Sequence, residues 1–290
     1  MIGTRLTELL RQRNYNVSHL GRSERNGEVK TFVWDITRFQ MAPDALKEID
    51  AVIHLAGASV ADKPWSPERK QEILISRTRS TELLFHELKS NRQVRTFVSS
   101  SGINYYGVYD DDRVFKEDDT PADDFLANVT KEWEAEADKI STLGIRVVKI
   151  RTGIVLSERG GALEAIARPV KWYAGAPLGS GKQLMSWIHL DDICNMYIKA
   201  IEDTEICGVY NGVAPEIVTN KQFTKEVASA LGKPLLLPNV PAFSLKLLFG
   251  EMADIVLKGC GVSCEKIQQA GFQFKFTSLR EALADIYKKK

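Results

Sequence analysis

Three short apolar runs follow one another along the chain, and each leads into glycine or small polar residues. They occupy residues 51–55, 96–98 and 146–150, and the second leads into Ser99, Ser100, Ser101 and Gly102. Runs this short and this apolar are typical of parallel strands buried on both faces. Helical stretches separate them, the clearest with Ser66 as its N-cap and Pro67 in its first turn. Because strands alternating with helices form βαβ units, the sequence predicts an α/β fold with a doubly wound parallel sheet.

The front of the chain predicts a helix rather than a strand. Residues 3–13 place Leu6, Leu9 and Leu10 on one helical face. We expect a short strand at residues 16–20, a second at 31–34 that ends at Asp35, and a short helix at 45–49. A strand normally precedes such a helix in a βαβ unit, but the sequence predicts none before residue 3.

The residues just before this helix match the end of a dinucleotide-binding loop. Such a loop joins a strand to a helix through spaced glycines, which let the backbone approach a pyrophosphate. In Met1-Ile2-Gly3-Thr4, Gly3 would be the third of these glycines. We expect the strand and the first two glycines to be encoded roughly 10 residues upstream. Without that strand, a gap of about 10 Å would separate its two neighbours in the sheet.

The residue that ends the next strand helps to discriminate between NAD and NADP. It lies about 20 positions past the glycine loop, and an acidic residue there would bind the ribose 2′-hydroxyl. Arg22 occupies this position. An arginine suits a 2′-phosphate, so the sequence favours NADP over NAD, with an ordinary surface arginine as the alternative.

The last part of the chain differs in composition from the rest. Its prolines and a predicted helix at 221–231, which ends at Gly232, indicate a smaller lobe. We expect a Rossmann-type NADP-binding domain over residues 1–160. We expect residues 161–290 to form mainly a substrate lobe and a C-terminal helical domain, with some segments returning to the sheet. Ligands of open α/β sheets bind in the crevice at the carboxyl ends of the strands.

Charge and cysteine content narrow the classes of partner. The formal net charge is +1, which gives no broad field to attract nucleic acid or an anionic membrane. The four cysteines match no common zinc pattern, so we expect no metal and reduced thiols in a cytoplasmic protein. We therefore expect a small-molecule substrate as the partner. We expect the protein to be a monomer or a homodimer.

Several motifs together resemble the extended short-chain dehydrogenase/reductases. The chain is most similar to the atypical subgroup of the NAD-dependent epimerase/dehydratase family that carries a C-terminal domain of unknown function. The matching segments are residues 2–4, 54–57, 99–102, 105–107, 131–134, 151–156, 187–192, 211–215, 250–251 and 271–272. Each motif is weak alone, but their order and spacing make the resemblance specific over nearly the whole chain.

The resemblance implies a role for each matching residue. It implies that Ser101 is the catalytic serine and that Lys131 holds the nicotinamide ribose. It also implies a cofactor-binding set, in which the glycines allow close approach of the backbone. This set comprises Gly3, Arg22, Asp35, Leu55, Ala56, Gly57, Ser99, Lys131, Gly153 and Ile154.

The chain departs from the family at the acid/base tyrosine. That tyrosine normally stands four residues before the lysine, on the same helical face, but here the position is Ala127. Tyr105 or Tyr106 could supply a phenol instead, or both could only pack the pocket wall. His189 is expected to be a buried anchor of its loop, next to a helix capped at Asp191 or Asp192. Arg168 and Lys182 are candidates to meet an anionic substrate.

The sequence leaves three functions open. The first is an NADP-dependent oxidoreductase or epimerase acting on a small molecule such as a sugar nucleotide. The second is a non-catalytic NADP(H)-binding sensor or scaffold, which the absent tyrosine favours. The third is an interaction module without nucleotide, which Arg22, Asp35 and the Leu55-Ala56-Gly57 segment argue against.

Overall fold

A computed structural model describes residues 1–24, 27–158 and 160–288. Over these residues the chain forms twelve strands and ten α-helices. In chain order they are α1 (Ile2–Gln12), β1 (His19–Gly21), β2 (Thr31–Asp35), β3 (Gln40–Met41), β4 (Ala51–His54), α2 (Pro67–Leu88), β5 (Thr96–Gly102), β6 (Val114–Phe115), α3 (Phe125–Lys139), β7 (Arg146–Thr152), β8 (Ile154–Leu156), α4 (Ala162–Lys171), β9 (Leu184–His189), α5 (Leu190–Glu202), β10 (Gly208–Gly212), β11 (Ile217–Thr219), α6 (Asn220–Ala230), α7 (Ala242–Phe249), α8 (Ala253–Leu257), β12 (Gly261–Val262), α9 (Glu265–Gln269) and α10 (Leu279–Lys288).

The main sheet has four parallel strands in the order β10–β7–β5–β4. Alternate residues of its strands face opposite layers of helices. Phe97 packs in a core with residues of α2 and α3, whereas Val98, Val148 and Ile150 pack in another core with residues of α5. Helices therefore cover both faces, and the predicted doubly wound α/β fold is confirmed.

A second sheet, β1–β2–β3, lies beside the main one without strand pairing to it within the described residues. A cavity of about 940 Å³ opens between β1 and β4, and Gly3, Leu6, Leu20 and Val52 are among the residues that line it. The predicted gap in the sheet is therefore present. Helix α1 still packs on α5, with Leu6 and Leu10 buried in the shared core.

The remaining elements form a lobe that continues from the carboxyl ends of the strands. Strands β8, β9 and β11 form its sheet, and α4, α6 and α10 pack around a core that includes Trp187 and Phe223. Strand β10, which comes later in the chain than β8 and β9, returns to the main sheet beside β7. The described helices include none whose length and apolar character would let it cross a membrane.

Three local predictions were wrong or imprecise. The helix expected at residues 45–49 is a series of turns, in which Glu48 takes a left-handed φ of 59°. The strand expected at residues 16–20 is shorter and begins later, since β1 spans His19–Gly21. Helix α5 is capped by His189, whose Nδ1 accepts the backbone N–H of Asp191 at 3.1 Å, rather than by either aspartate.

Candidate cofactor and active site

A pocket of about 210 Å³ lies where β4 and β5 end. Leu55, Ala56 and Gly57 follow β4 along one wall, and Ser100 and Ser101 of β5 form another. This is the edge of an open parallel sheet at which ligands bind, because loops and helix ends converge there.

Helix α3 supplies the apolar wall of the pocket. The helix begins where the Asp124 carboxylate accepts the backbone N–H of Ala127 at 3.0 Å. From there Leu126, Val129, Thr130 and Trp133 follow at helical spacing and all line the pocket. Ala127 is fully buried on the adjoining face of the helix, so it contributes no group to the pocket.

Ser101 is held by a buried carboxylate. Its Oγ donates to Oε1 of Glu134 at 2.6 Å, and Glu134 is only 6% exposed. The guanidinium of Arg151 donates to both oxygens of Glu134, from Nε at 2.8 Å and from Nη2 at 2.9 Å. Ser101 and Arg151 are opposite each other in the β5–β7 register, so both side chains rise to the same face of the sheet.

Tyr106 belongs to this buried network rather than to the pocket. It is fully buried, donates to Oδ1 of Asn211 at 2.8 Å and accepts from Nη1 of Arg151 at 2.9 Å. Burial raises the pKa of Tyr106 to about 12, although the charge of Arg151 and the hydrogen bonds with Arg151 and Asn211 oppose the shift. A phenol in this position is unsuited to proton transfer near neutral pH, so the geometry gives Tyr106 a structural role.

Tyr105 lies against the same arginine. Its ring centroid is 3.3 Å from Cζ of Arg151, within the range of a cation–π contact. Neither tyrosine is among the residues that line the pocket of the described chain. For Arg151 itself, burial acts to lower the pKa, but the hydrogen bonds and charge of Glu134 outweigh it and the net shift is upward.

A half-buried arginine also lines the pocket, without an acidic partner among the described residues. Arg77 of α2 donates from Nη1 to the backbone oxygen of Ile73 at 2.9 Å and lies 5.2 Å from the Trp133 ring. No carboxylate of the described residues forms an ion pair with it. Burial lowers the pKa of Arg77 to about 10, and the charge of Arg69 adds to the shift. A Cβ added at Gly57 would stand 3.0 Å from Cζ of Arg77, so glycine leaves room for this guanidinium.

More cations lie around Glu72 of α2. Arg69 donates to Glu72 at 2.5 Å and to the backbone oxygen of Ser59. This bond and the nearby charges of Lys63 and Arg22 lower the pKa of Glu72, against a weaker opposing effect of burial. A row of cations therefore runs from the end of β1 along α2 to the pocket, and its members are Arg22, Lys63, Arg69 and Arg77.

The sequence matches two known protein-family models. A family model described as the NAD dependent epimerase/dehydratase family matches residues 1–211, and a domain of unknown function, DUF1731, matches residues 240–286. The chain belongs to the NAD-dependent epimerase/dehydratase family. The match over most of the chain also confirms the resemblance to extended short-chain dehydrogenase/reductases and their C-terminal domain.

Individual relatives support the same conclusion. The chloroplastic epimerase family protein SDR39U1 homolog of Arabidopsis thaliana is 36% identical over 98% of this chain and 83% of its own length. A crystal structure of human SDR39U1, isoform 2, with NADPH has a TM-score of 0.87 and 30% identity, covering 100% of this chain and 97% of the human one. MoeE5 with UDP-glucose and NAD is 20% identical, with a TM-score of 0.80 over 99% of this chain and 94% of its own, and shows the fold alone.

Some residues implied by the family resemblance meet at the pocket. Leu55, Ala56, Gly57 and Ser101 line it together. Gly3 lies nearby, since a Cβ added there would be 3.7 Å from the side chain of Leu55.

Other implied residues lie elsewhere. Lys131 does not line the pocket: its Nζ donates to Asn128 at 3.0 Å and is 3.7 Å from Asp123. Ser99 is buried and donates to the backbone oxygen of Ser100. The Asp35 carboxylate accepts the backbone N–H groups of Thr37 and Arg38 and so closes its own turn.

The last pair of implied cofactor residues, Gly153 and Ile154, follows β7. A Cβ added at Gly153 would be 2.5 Å from the backbone oxygen of Ser186, so packing alone requires this glycine. Ile154 is half-buried and begins β8. Arg168 and Lys182 are exposed and line neither the pocket nor the cavity.

Three site residues were not predicted: Glu134, Arg151 and Arg77. The first two had a signal in the sequence. Acidic residues recur at spacing four on α3, Glu134 and Asp138, and basic residues recur at spacing two on β7, Lys149 and Arg151. These spacings put each pair on one face, and Lys149 does contact Asp138 at 2.7 Å. Arg77 has no such signal, because α2 carries three arginines and an arginine on a long helix is ordinarily exposed.

Proposed function

We propose that this chain binds NADP(H) along the row of cations and catalyses an oxidoreductase or epimerase reaction on a small molecule beside Ser101. The observation that carries the proposal is Arg77, a half-buried cation that lines the pocket without an acidic partner among the described residues. A charge partly withdrawn from water is costly unless an anion pairs with it. The NADPH in the crystal structure of human SDR39U1 supports this choice of ligand.

The residues present suit a phosphate-rich dinucleotide. Arginine recognises phosphate through paired hydrogen bonds, and Arg77 is placed for a pyrophosphate that passes Gly57. Gly57 carries no Cβ, so a ligand can approach the backbone closely there. Arg22 is exposed at the end of β1, where a 2′-phosphate would lie, and Arg69 and Lys63 strengthen the positive field between these two positions.

When bound, the nicotinamide cofactor supplies the hydride-transfer chemistry. Ser101 then supplies a path for the proton. Because Ser101 donates its hydrogen to Glu134, its oxygen offers lone pairs to the pocket and suits a substrate hydroxyl as donor. A proton that leaves this hydroxyl moves to Oγ of Ser101 as Ser101 passes its own hydrogen to the Glu134 carboxylate. Leu126, Val129 and Trp133 keep the wall beside this path apolar.

For the substrate, we propose a sugar nucleotide. The support is the pocket itself, which continues from a cationic crevice suited to phosphates, and the UDP-glucose in the MoeE5 structure, which shares the fold. We further propose a cytosolic location, supported by the free cysteines Cys194, Cys207, Cys260 and Cys264.

The second candidate is a non-catalytic NADP(H) sensor. One observation favours it: Ala127 stands where the family has its acid/base tyrosine, and no phenol of the described residues lines the pocket. Both candidates require the same cofactor site, so turnover alone separates them.

Binding of the cofactor is tested by titrating the full chain with NADPH and following fluorescence. We expect Arg77→Met to weaken binding by about 10- to 100-fold, since it removes a charge-assisted hydrogen bond. Arg92→Met, an exposed arginine outside the site, serves as the matched control. We expect Arg22→Ala to reduce the preference for NADPH over NADH. Equal affinity of the Arg77 variant and the control would refute the cofactor site.

Catalysis is tested with NADPH or NADP and a panel of carbonyl compounds and sugar nucleotides. Turnover that Ser101→Ala abolishes, while NADPH affinity is kept, supports the enzyme. Cofactor binding without turnover on any member of the panel favours the sensor.

A further inference from the structure

The C-terminal lobe exposes most of the large apolar side chains that face solvent. Of thirteen such side chains among the described residues, eight lie in this lobe, with exposed fractions from 41% to 88%. We call these eight the apolar surface: Trp172, Tyr173, Leu236, Leu237, Phe243, Leu247, Leu248 and Phe249. Exposed apolar residues that occur singly need no explanation, but a concentration of this kind marks an interaction site.

The segments that carry the apolar surface are continuous in space. Lys233 donates to the Tyr173 hydroxyl at 2.9 Å, and further along the backbone N–H of Val240 donates to Pro177 at 2.8 Å. Residues 173–179 and 233–240 therefore run side by side. Helix α7 begins two residues after Val240 and carries the other half of the surface.

Helix α7 is apolar on more than one face but buries little of itself. Within it only Leu245 is buried, whereas Phe243, Leu247 and Leu248 are 74%, 88% and 72% exposed. A helix exposed in this way forms a ridge rather than a groove. Such a ridge suits insertion at the boundary between lipid head groups and acyl chains.

Within the two stretches that carry the apolar surface the charges have one sign, and the nearby carboxylates of Glu251 and Asp254, which follow α7, are paired with Lys70 and Lys258. Residues 165–190 contain Arg168, Lys171 and Lys182, and residues 227–250 contain Lys233 and Lys246. Neither stretch contains an aspartate or a glutamate. The net charge of +1 conceals this local excess, because carboxylates elsewhere in the chain balance it. A second copy docked on the same surface would bring cations against cations, whereas an anionic partner complements them.

We propose that the apolar surface docks on the face of an anionic lipid bilayer. The aromatic and leucine side chains enter the boundary between head groups and acyl chains, and the flanking lysines and Arg168 lie against the lipid phosphates. Tryptophan and tyrosine beside lysines are the residues that favour this boundary. The docking is peripheral and reversible, and it does not depend on the cofactor site.

The experiment is co-sedimentation of the full chain with vesicles of phosphatidylcholine, with or without phosphatidylglycerol. We expect binding to the anionic vesicles and little binding to phosphatidylcholine alone. Leu247→Ser/Leu248→Ser and Lys171→Glu/Lys246→Glu should each lower the partition coefficient at least tenfold. Ile75→Ser and Lys47→Glu, which alter exposed residues outside the surface, should leave it unchanged.

Two further readouts keep a misfolded variant from being mistaken for support. Far-UV circular dichroism must show native helix content in each variant. Trp172 fluorescence, assigned by difference from Trp172→Phe, should shift to the blue with anionic vesicles. Failure of the wild-type chain to bind these vesicles overturns the proposal. A second outcome also overturns it. If light scattering shows a dimer that Leu247→Ser/Leu248→Ser converts to a monomer, and no vesicle binding is seen, the apolar surface binds a second copy of the chain.

Discussion

The ion pair between Glu134 and Arg151 gives the sharpest test of the buried network. Glu134 accepts three hydrogen bonds: one from Ser101 and two from Arg151, all between 2.6 and 2.9 Å. Glu134→Gln keeps the shape of the side chain but removes its charge and turns an amide donor towards a guanidinium. Arg151 then remains 3% exposed with an uncompensated charge.

Removal of one partner from a buried ion pair destabilises a protein by about 3–5 kcal/mol. For a chain of this length, that corresponds to a fall in Tm of about 5–8 °C. The measurement is thermal unfolding followed by circular dichroism. The matched control is Glu265→Gln, which removes the charge from its ion pair with Lys116, where the two side chains are 60% and 63% exposed. An exposed pair contributes less than about 1 kcal/mol, so its Tm should barely change.

A double variant separates charge from packing. Glu134→Leu/Arg151→Met replaces both members by apolar side chains of similar size, and we expect it to recover most of the lost stability. If Glu134→Gln unfolds within about 1 °C of the wild type, buried charge is not what organises this network, and the reasoning is refuted.

Three further predictions concern stability and cofactor affinity. Burial lowers the pKa of His54 to about 3, so between pH 6.5 and 3 the imidazole is protonated only in the unfolded chain. The free energy of unfolding should therefore decrease as the pH decreases through this range, by up to about 1.4 kcal/mol per pH unit. His54→Gln should flatten this dependence of unfolding free energy on pH. Gly57→Ala should weaken NADPH binding several-fold in a fluorescence titration, because its Cβ displaces Arg77. Gly153→Ala should lower Tm by several degrees, since its Cβ overlaps the Ser186 backbone.

Controls for these glycines come from the same chain. A Cβ added at Gly27 meets nothing within 4 Å, so Gly27→Ala should leave Tm and NADPH affinity unchanged. A neutral Gly153→Ala would contradict the close packing between β8 and β9. For His54, a slope that survives in the glutamine variant would assign the acid sensitivity to another group.

The sequence predicted the elements whose signals are local. Ser66 caps α2 by accepting the backbone N–H of Arg69, as its position before Pro67 indicated. The apolar strands β4, β5 and β7 pair in parallel, because buried runs separated by helices have few other solutions. The turns at residues 45–48 were missed because their apolar residues pack into a core that a helix would also have suited.

The direction of long side chains could not be predicted in the same way. Family resemblance implied that Lys131 reaches the ribose, yet in the structure its ammonium group meets Asn128 on its own helix. Backbone position follows from the motif, but the direction of a flexible lysine side chain depends on the acceptors around it. Tyr106 is a second case: the sequence shows only that it follows the serines, and its partner residues Arg151 and Asn211 show that it belongs to the buried network.

Glu134 changes how the absence of the tyrosine at Ala127 is understood. The two positions are seven residues apart on α3, about 10 Å along the axis and on nearly the same face. The Glu134 carboxylate reaches Oγ of Ser101 from α3, the same helix that would carry a phenol at position 127. In the proton path that we propose, Glu134 takes the part of proton acceptor through Ser101. Because Ala127 is buried outside the pocket, the α3 wall that faces a ligand consists of Leu126, Val129, Thr130 and Trp133, and the path that we propose needs no phenol there.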